Sequence, residues 1–411
     1  MNRFAAVMLV VMPLAASAGD WPQFLGPNRD GTVAETNLNL DWKAKPPKVV
    51  WKVPAGESFS SVAVVGDRLY TMSRHGQRDH IDCLDAVTGM EKWTVDAAPT
   101  YLDTQKHGYG PRATPTVHED EVYCLFPGGE LLCVTTAGKP VWNINIFSST
   151  GAANPHGEYY YWGLSLSPLI EGESVIVQPG GNKDNSVAAF DRKTGKLLWK
   201  CGSDPAGYGS PIAITIGKQR QIIVPTGQSV LGIDPQAGKV LWRYAFGNKF
   251  NATCTTPVWA EGLLFVSAAY GAGCAALEII EKDSTWSVRE KWRKKDLQNL
   301  FATSIVHDGH VYGCHGDLGA IFLKCFDFKT GALKWDERQR NGRVTLLRAG
   351  NRLLVQSEKG ALQVVEASPK GYSLRCELPD VLAFKAWSTP AIANGRMYVR
   401  DQKSIVCVDL R

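Results

Sequence analysis

The sequence predicts an all-β fold, an eight-bladed β-propeller with four antiparallel strands per blade, the ring closed by an N-terminal outer strand. Three observations carry this. A unit with Asp, Gly and Trp each four residues apart recurs as Asp85…Thr88-Gly89…Trp93, Asp191…Thr194-Gly195…Trp199, Asp234…Ala237-Gly238…Trp242 and Asp327…Thr330-Gly331…Trp335. The repeat unit is roughly 40–55 residues, the length of one supersecondary unit that must stack on its neighbours. Between copies lie short alternating runs such as Val62-Ala63-Val64-Val65, Arg68-Leu69-Tyr70-Thr71 and Ile81-Asp82-Cys83-Leu84. Gly-Asp, Asp-Gly and Asn-Gly pairs at 66–67, 308–309 and 394–395 punctuate them, which is strand and hairpin chemistry. No long helical periodicity competes. A four-stranded sheet this small cannot bury both faces alone, and radial stacking of such sheets makes a propeller.

The elements follow in order. Residues 1–18 read as a secretory signal: Arg3 is the basic start, Phe4 to Leu14 the apolar core, and Ala16-Ser17-Ala18 the small-residue cleavage site. No Cys follows the apolar core, which excludes a lipid anchor there, and that core is too short to span a bilayer. No later stretch has 18 uninterrupted apolar residues, so no transmembrane segment is expected and the chain is read as exported, to the periplasm or beyond the cell. Residues 19–46 are assigned to an N-terminal extended segment and 47–411 to the propeller. Aligned turns give eight registers, at Asp85, Thr135, Asp191, Asp234, Glu278, Asp327, Glu366 and Asp409. The turn after Thr135 is one residue short, that after Glu278 is expanded, and the copy at Glu366 lacks its Trp. The last unit has three strands, near 389–393, 396–400 and 404–410, and then the chain stops. Val49-Val50-Trp51-Lys52-Val53 is an orphan outer strand with the right Trp, so it is expected to pair with 404–410. In each register the Asp accepts from turn N–H groups, the Gly permits positive φ, and the Trp covers the blade edge.

The 411 residues are 44% hydrophobic and 21% charged, with a formal charge of +5. The charge is spread without blocks of one sign, so nucleic acid is not an expected partner. Ten Cys in an exported chain ordinarily imply disulfides. Here Cys83, Cys133, Cys325 and Cys407 share one repeat position, two residues before the acidic or hydroxyl residue, which reads as a small buried thiol in a β-core. Whether Cys254 and Cys274 are bridged is left open.

The eleven residues from Ala189 to Trp199, Ala-Phe-Asp-Arg-Lys-Thr-Gly-Lys-Leu-Leu-Trp, resemble the repeat of the pyrroloquinoline-quinone (PQQ) family of eight-bladed propellers, roughly Ala-x-Asp-x-x-Thr-Gly-x-x-x-Trp. The resemblance covers about 50–411. The opening Trp21-Pro22-Gln23-Phe24-Leu25-Gly26-Pro27 looks like that of secreted bacterial propellers described as PQQ-binding-like. The resemblance implies the fold. For activity it points two ways, because the family holds quinoprotein alcohol dehydrogenases and also the non-catalytic propeller of the outer-membrane barrel-assembly machinery, BamB.

Function is expected on the face that carries the inter-blade loops, since binding residues concentrate on loops held by a rigid scaffold. The long loops are 94–112, 143–165, 243–254 and 376–388. The first two hold Tyr101, His107, Tyr109 and Arg112, then His156, Tyr159, Tyr160, Tyr161 and Trp162; Tyr208 follows in the next. These aromatics either pack the loops over the ring or offer a stacking surface to a glycan, a peptide or a ring cofactor. Arg112, Asn251, Asn299, Lys385 and Trp387 lie just before innermost strands, and either approach the axis as an anion-binding mouth or bond to neighbouring loops. By resemblance such a mouth would suit PQQ, a planar polyanion, with Trp387 or Trp162 as platform. Yet the family's adjacent-Cys disulfide and the Cys-x-x-Cys-His haem site are absent from the sequence, and the calcium candidates Asn154, Glu158 and Asp317 lack a ligand spacing. His75, His80 and His315 are loose metal candidates and read more simply as turn residues. The expectation is therefore a non-catalytic propeller that binds a protein or a cell-surface polysaccharide, with no cofactor firmly assigned; the alternative is a PQQ- and calcium-dependent alcohol or sugar dehydrogenase.

Overall fold

A computed structural model describes residues 19–411 apart from 100, 104–106, 109, 156–160 and 318. The leader expected at 1–18 lies outside the described residues. The chain is an eight-bladed β-propeller: eight sheets, each with at least four strands, follow one another around a ring in sequence order. Blade 1 runs Ala63–Val65, Arg68–His75, Arg78–Asp85 and Glu91–Pro99 from the axis outward. Blades 2 to 7 repeat the plan from inner strands Thr116–His118, Leu169–Glu171, Ile212–Ile216, Val258–Ala260, Ile305–His307 and Val344–Ala349. One short helix, Ile146–Thr150, follows the outer strand of blade 2, capped by Asn145.

The ring closes as the sequence predicts. Blade 8 has three strands of its own, Ala391–Ala393, Arg396–Arg400 and Ser404–Asp409, and its outer strand is Lys48–Pro54. That strand pairs antiparallel with the last one, Lys48 opposite Asp409 and Pro54 opposite Ser404.

The repeat residues explain one another across blade boundaries. Each motif Trp sits at a β-bulge opposite a small or thiol side chain: Trp51 at Cys407, Trp93 at Cys83, Trp142 at Cys133, Trp199 at Ala189, Trp335 at Cys325. A larger residue there would lift the indole off the sheet. In most copies the indole N–H donates to a carbonyl in the next blade's turn region, as from Trp142 to Arg192 (2.8 Å), Trp199 to Pro235 (3.0 Å) and Trp292 to Phe328 (2.9 Å), whereas Trp242, ahead of blade 5, donates to Gln221 Oε1 in its own blade at 2.7 Å. The turn Gly of that next blade lies flat on the ring: a Cβ on Gly195 would come within 2.9 Å of Trp142, and one on Gly238 within 2.6 Å of Trp199. The turn Asp does the work expected of it, Asp191 Oδ1 accepting from the N–H of Thr194 at 2.8 Å and from its hydroxyl at 2.7 Å. All ten Cys are free, including Cys254 and Cys274, so the open question of that bridge is answered by two separate thiols.

Two features depart from the simple repeat. In blade 5 the chain does not turn after Glu278; the strand Gly273–Lys282 runs on and turns at Asp283 and Ser284, both at positive φ, before Thr285–Lys294 returns. The second departure is the 19–46 segment, which is woven into the ring. Trp21 bridges to Val64 of blade 1, Pro22 O accepts from Val117 N of blade 2 at 2.8 Å, and Thr32–Val33 adds a parallel fifth strand to the inner edge of blade 7. Between these contacts a turn fills the axial channel. Arg29, 3% exposed, donates there to the carbonyls of Pro211 (2.8 Å), Ser167 (3.0 Å) and Pro168 (2.9 Å). Burial pulls its guanidinium down to about 9. From Val33 the segment runs outward across blades 7 and 8, burying Trp42, and leads into the closing strand.

Candidate functional site

Inner-strand entries and the hairpins between second and third strands lie on one face, here called the loop face. At its centre is a cavity of about 470 Å³. Every blade contributes to its wall: Phe59 from blade 1, Arg112 from blade 2, Trp162 from blade 3, Tyr208 from blade 4, Cys254 and Tyr270 from blade 5, Phe301 and Asp317 from blade 6, Arg343 and Glu358 from blade 7, and Lys385 and Trp387 from blade 8. Phe24, from the axial turn, also lines it. On the other side of that turn is a second cavity of about 400 Å³, lined by Gln23, Arg29 and Asp30 and by inner strands of blades 3 to 5.

Seven of the residues picked out in the sequence therefore meet: His107, Arg112, Trp162, Tyr208, Asp317, Lys385 and Trp387. Arg112 is held by Asp103, a buried carboxylate 2.8 Å from Nη2, and lies with Cζ 5.5 Å from the Phe59 ring centroid. Burial lowers its pKa against the opposing pull of Asp103. Trp162 meets Tyr208 edge-on at 5.7 Å and His107 at 6.3 Å. Burial raises the Tyr208 phenol. Lys385 Nζ stands 4.4 Å above the Trp387 ring centroid. Trp387 is also stacked on Phe59 at 5.0 Å and tilted against Phe301 at 5.2 Å, and its indole N–H donates to Glu358 at 2.8 Å. Glu358 in turn pairs with Arg343 at 3.2 Å.

Three other candidates are placed elsewhere. Tyr161 does not line the cavity; it packs edge-on against Tyr101 at 5.8 Å, and its carbonyl takes the Tyr101 hydroxyl at 3.0 Å. Asn251 adopts φ 54° in a loop organised by Asn248, whose Oδ1 accepts from the N–H groups of Phe250 (3.0 Å) and Ala252 (3.1 Å). Asn299 is fully buried, donating to Ala302 O at 2.6 Å and Ser304 Oγ at 3.0 Å while accepting from Ser267 Oγ at 3.0 Å. Its amide ties neighbouring backbone together. Tyr109, His156, Glu158, Tyr159 and Tyr160 lie outside the described residues. Of the loose metal candidates, His315 Nδ1 takes the Gln298 N–H at 3.1 Å, and the His75 and His80 rings meet edge-on at 5.0 Å.

Phe59, Tyr270, Phe301, Arg343 and Glu358 were not picked out from the sequence. Nor was the polar lining at the deep end, which has a signal: Ser or Thr before Pro ahead of an inner strand, as at Thr114-Pro115, Ser167-Pro168, Ser210-Pro211, Thr256-Pro257 and Thr389-Pro390. The hydroxyls connect blades. Ser167 Oγ accepts from Thr114 N at 2.9 Å, Ser210 Oγ from Ser167 N at 2.9 Å, and Thr303 Oγ1 from Thr256 N at 3.2 Å.

Two features of the wall tell against the quinone arrangement that the resemblance carried. Of the two platforms expected, Trp387 has its ring packed by Phe59, Phe301 and Lys385, which leaves Trp162 in the cavity wall. A polyanion needs surplus positive charge, and both guanidiniums of the wall are paired with carboxylates. Among the described residues no three His, Cys, Asp or Glu side chains converge as a metal site. In the same wall burial pushes the Cys254 thiol up to about 12, away from a nucleophilic thiolate.

Comparison with known proteins agrees with the ring. The structure of BamB from Moraxella catarrhalis superposes with a TM-score of 0.62 at 14% identity, over 89% of this chain and 98% of that one. Quinohemoprotein alcohol dehydrogenase from Comamonas testosteroni superposes with a TM-score of 0.66 at 12% identity, over 96% and 81%. A computationally designed protein also matches, with a TM-score of 0.58 at 12% identity, over 87% and 98%. At such identities the likeness concerns the fold alone. No curated protein matches the sequence significantly. Among the described residues no helix is long and apolar enough to cross a membrane. The family model of the outer membrane protein assembly factor BamB matches residues 31–158 and 78–337, well over half of the chain, which therefore belongs to that family.

Proposed function

We propose that this chain is an exported, non-catalytic binding propeller that holds a protein or a cell-surface polysaccharide on its loop face, with the axial cavity as the centre of recognition. The observation that carries the reading is the charge balance of the cavity. Arg112, Arg343 and Lys385 are offset by Asp103, Glu358 and Asp317, and two of the three cations sit in direct ion pairs. Such a wall fixes the position of its polar groups without concentrating a field, which suits recognition more than charge-developing chemistry. The aromatic residues around it supply rigid contact area at small entropic cost. Family membership supports a binding role, and the basic, apolar and small-residue pattern of residues 1–18 supports export.

The competing reading is a PQQ- and calcium-dependent alcohol or sugar dehydrogenase. The test is direct: purified protein receives PQQ with calcium, and quinone absorbance and dye-linked oxidation of alcohols are followed. Neither retained quinone nor turnover is expected. Stoichiometric retention with turnover overturns the binding reading.

A further inference from the structure

We infer that the axial cavity is a site for a single neutral sugar ring, presented by the end or a branch of a saccharide chain; this rests on the binding reading above. Four observations converge on that class of ligand. The first is charge. Three cations face three carboxylates when Asp103, behind Arg112, is counted with the wall, so neither an anionic nor a cationic ligand finds a surplus of the opposite sign. The rings of Phe59 and Trp387 already carry Arg112 and Lys385 over them.

The second is the walls. Trp162, Tyr208, Tyr270 and Phe301 are half-buried and line the cavity from blades 3 to 6. Flat π faces suit the C–H faces of a pyranose ring. The third is the deep end. Ser167 and Ser210 each accept a backbone N–H from the neighbouring blade, and both line the cavity. A hydroxyl that spends an acceptor site in this way retains its own hydrogen for donation. On blade 7, across the same cavity, the Arg343–Glu358 pair sets a cationic donor next to an anionic acceptor, held by Trp387 Nε1. Adjacent hydroxyls of a sugar, each both donor and acceptor, satisfy all of these groups together, whereas an apolar side chain leaves them without partners. The fourth is shape. The cavity volume of about 470 Å³ falls among small-ligand sites. The axial turn with Phe24 stands at its inner end, so a chain does not thread through, and a terminal or branching residue is what enters.

The full chain is titrated with methyl glucoside, methyl galactoside, methyl mannoside and N-acetylglucosamine, with glucuronate, PQQ and indole as contrasts. Intrinsic Trp fluorescence and calorimetry report binding, and Trp162→Ala and Phe301→Ala serve as variants whose folding is checked by melting. Saturable binding of at least one neutral sugar is expected, weakened about tenfold or more in each folded variant, with glucuronate weaker. If no neutral sugar saturates, the inference falls while the binding reading stands, since that reading falls only to quinone turnover. Tighter binding of glucuronate or PQQ overturns the charge argument. Indole binding without sugar binding assigns the cavity to an apolar side chain instead. Sugar binding unchanged in both variants overturns the site.

Discussion

Two glycines of blade 1 separate backbone freedom from packing. Gly66 and Gly89 both have positive φ, 58° and 75°, but a Cβ on Gly66 meets nothing within 4 Å, whereas one on Gly89 would lie 2.8 Å from Cδ2 of Trp51. Alanine at either site carries the left-handed penalty, roughly 1–2 kcal/mol. Either also narrows the unfolded ensemble by a similar amount, and that contribution cancels in the comparison. Only Gly89→Ala must displace a buried indole, an overpacking cost of about 1–3 kcal/mol. Trp51 is 8% exposed and belongs to the closing strand, so the displaced ring has little room and its shift loosens the seam. Urea unfolding of the two variants, followed by Trp fluorescence, is expected to place the Gly89→Ala midpoint below that of Gly66→Ala by that difference, with similar slopes. Coincident midpoints would refute the wedge between turn glycine and preceding Trp. The same reasoning would then fail for Gly138, Gly195, Gly238 and Gly331, which meet the preceding Trp at comparable distances.

Removing residues 47–54 takes away the outer strand of blade 8, and a single cooperative melt in that truncation would contradict the closure. Acid acts on the turn carboxylates. Lys92, then the Thr88 turn groups, hold Asp85 down to about 2, and Arg411 does the same for Asp409, from an ordinary value of 3.8. A depressed folded pKa contributes stability that is full above 3.8 and disappears as pH falls toward about 2. The melting gap between the natural chain and Asp409→Asn is therefore expected to be widest above pH 4 and to close by about pH 2; a gap that persists unchanged would count against the turn bonds. Burial pushes Cys83, Cys133, Cys325 and Cys407 up to about 12. Ellman's reagent should find these thiols silent in the folded protein at neutral pH and all ten reactive in urea without reductant; fewer than ten would reveal a bridge.

The ring was legible because its signals are periodic and local. A Trp-bearing strand without a blade and a final blade without an outer strand can only be matched to each other, which is why Trp51 opposite Cys407 could be anticipated. Arg112, Lys385 and Trp387 were legible for a similar reason, since position just ahead of an inner strand puts a residue near the axis, and Trp162 and Tyr208 were legible as aromatics of the loops on that face. Asn251 and Asn299 satisfy that rule and still turn away. One sits in a loop held by Asn248, and the other spends its amide on three neighbours, choices made by side-chain direction that spacing does not encode. Tyr270 and Glu358 come from hairpins between second and third strands, which share the loop face, so the rule existed without being applied to them. Phe24 and Arg29 were out of reach, because an axial position depends on partners more than a hundred residues away.

The woven N-terminal segment also sets the order of assembly. Thr32 bonds to Arg348, 316 residues later in the chain, and Lys48–Pro54 must wait for Ser404–Asp409. The earliest strands of the ring are thus paired with the latest, contacts of very high sequence separation that form slowly. Blades 1 to 6 can stack as they are made, but an open arc still lacks both its seam and the blade 7 partner of Thr32–Val33. During synthesis from the N-terminus these strands stay unpaired until the last residues arrive, so the ring closes only once the whole chain is available.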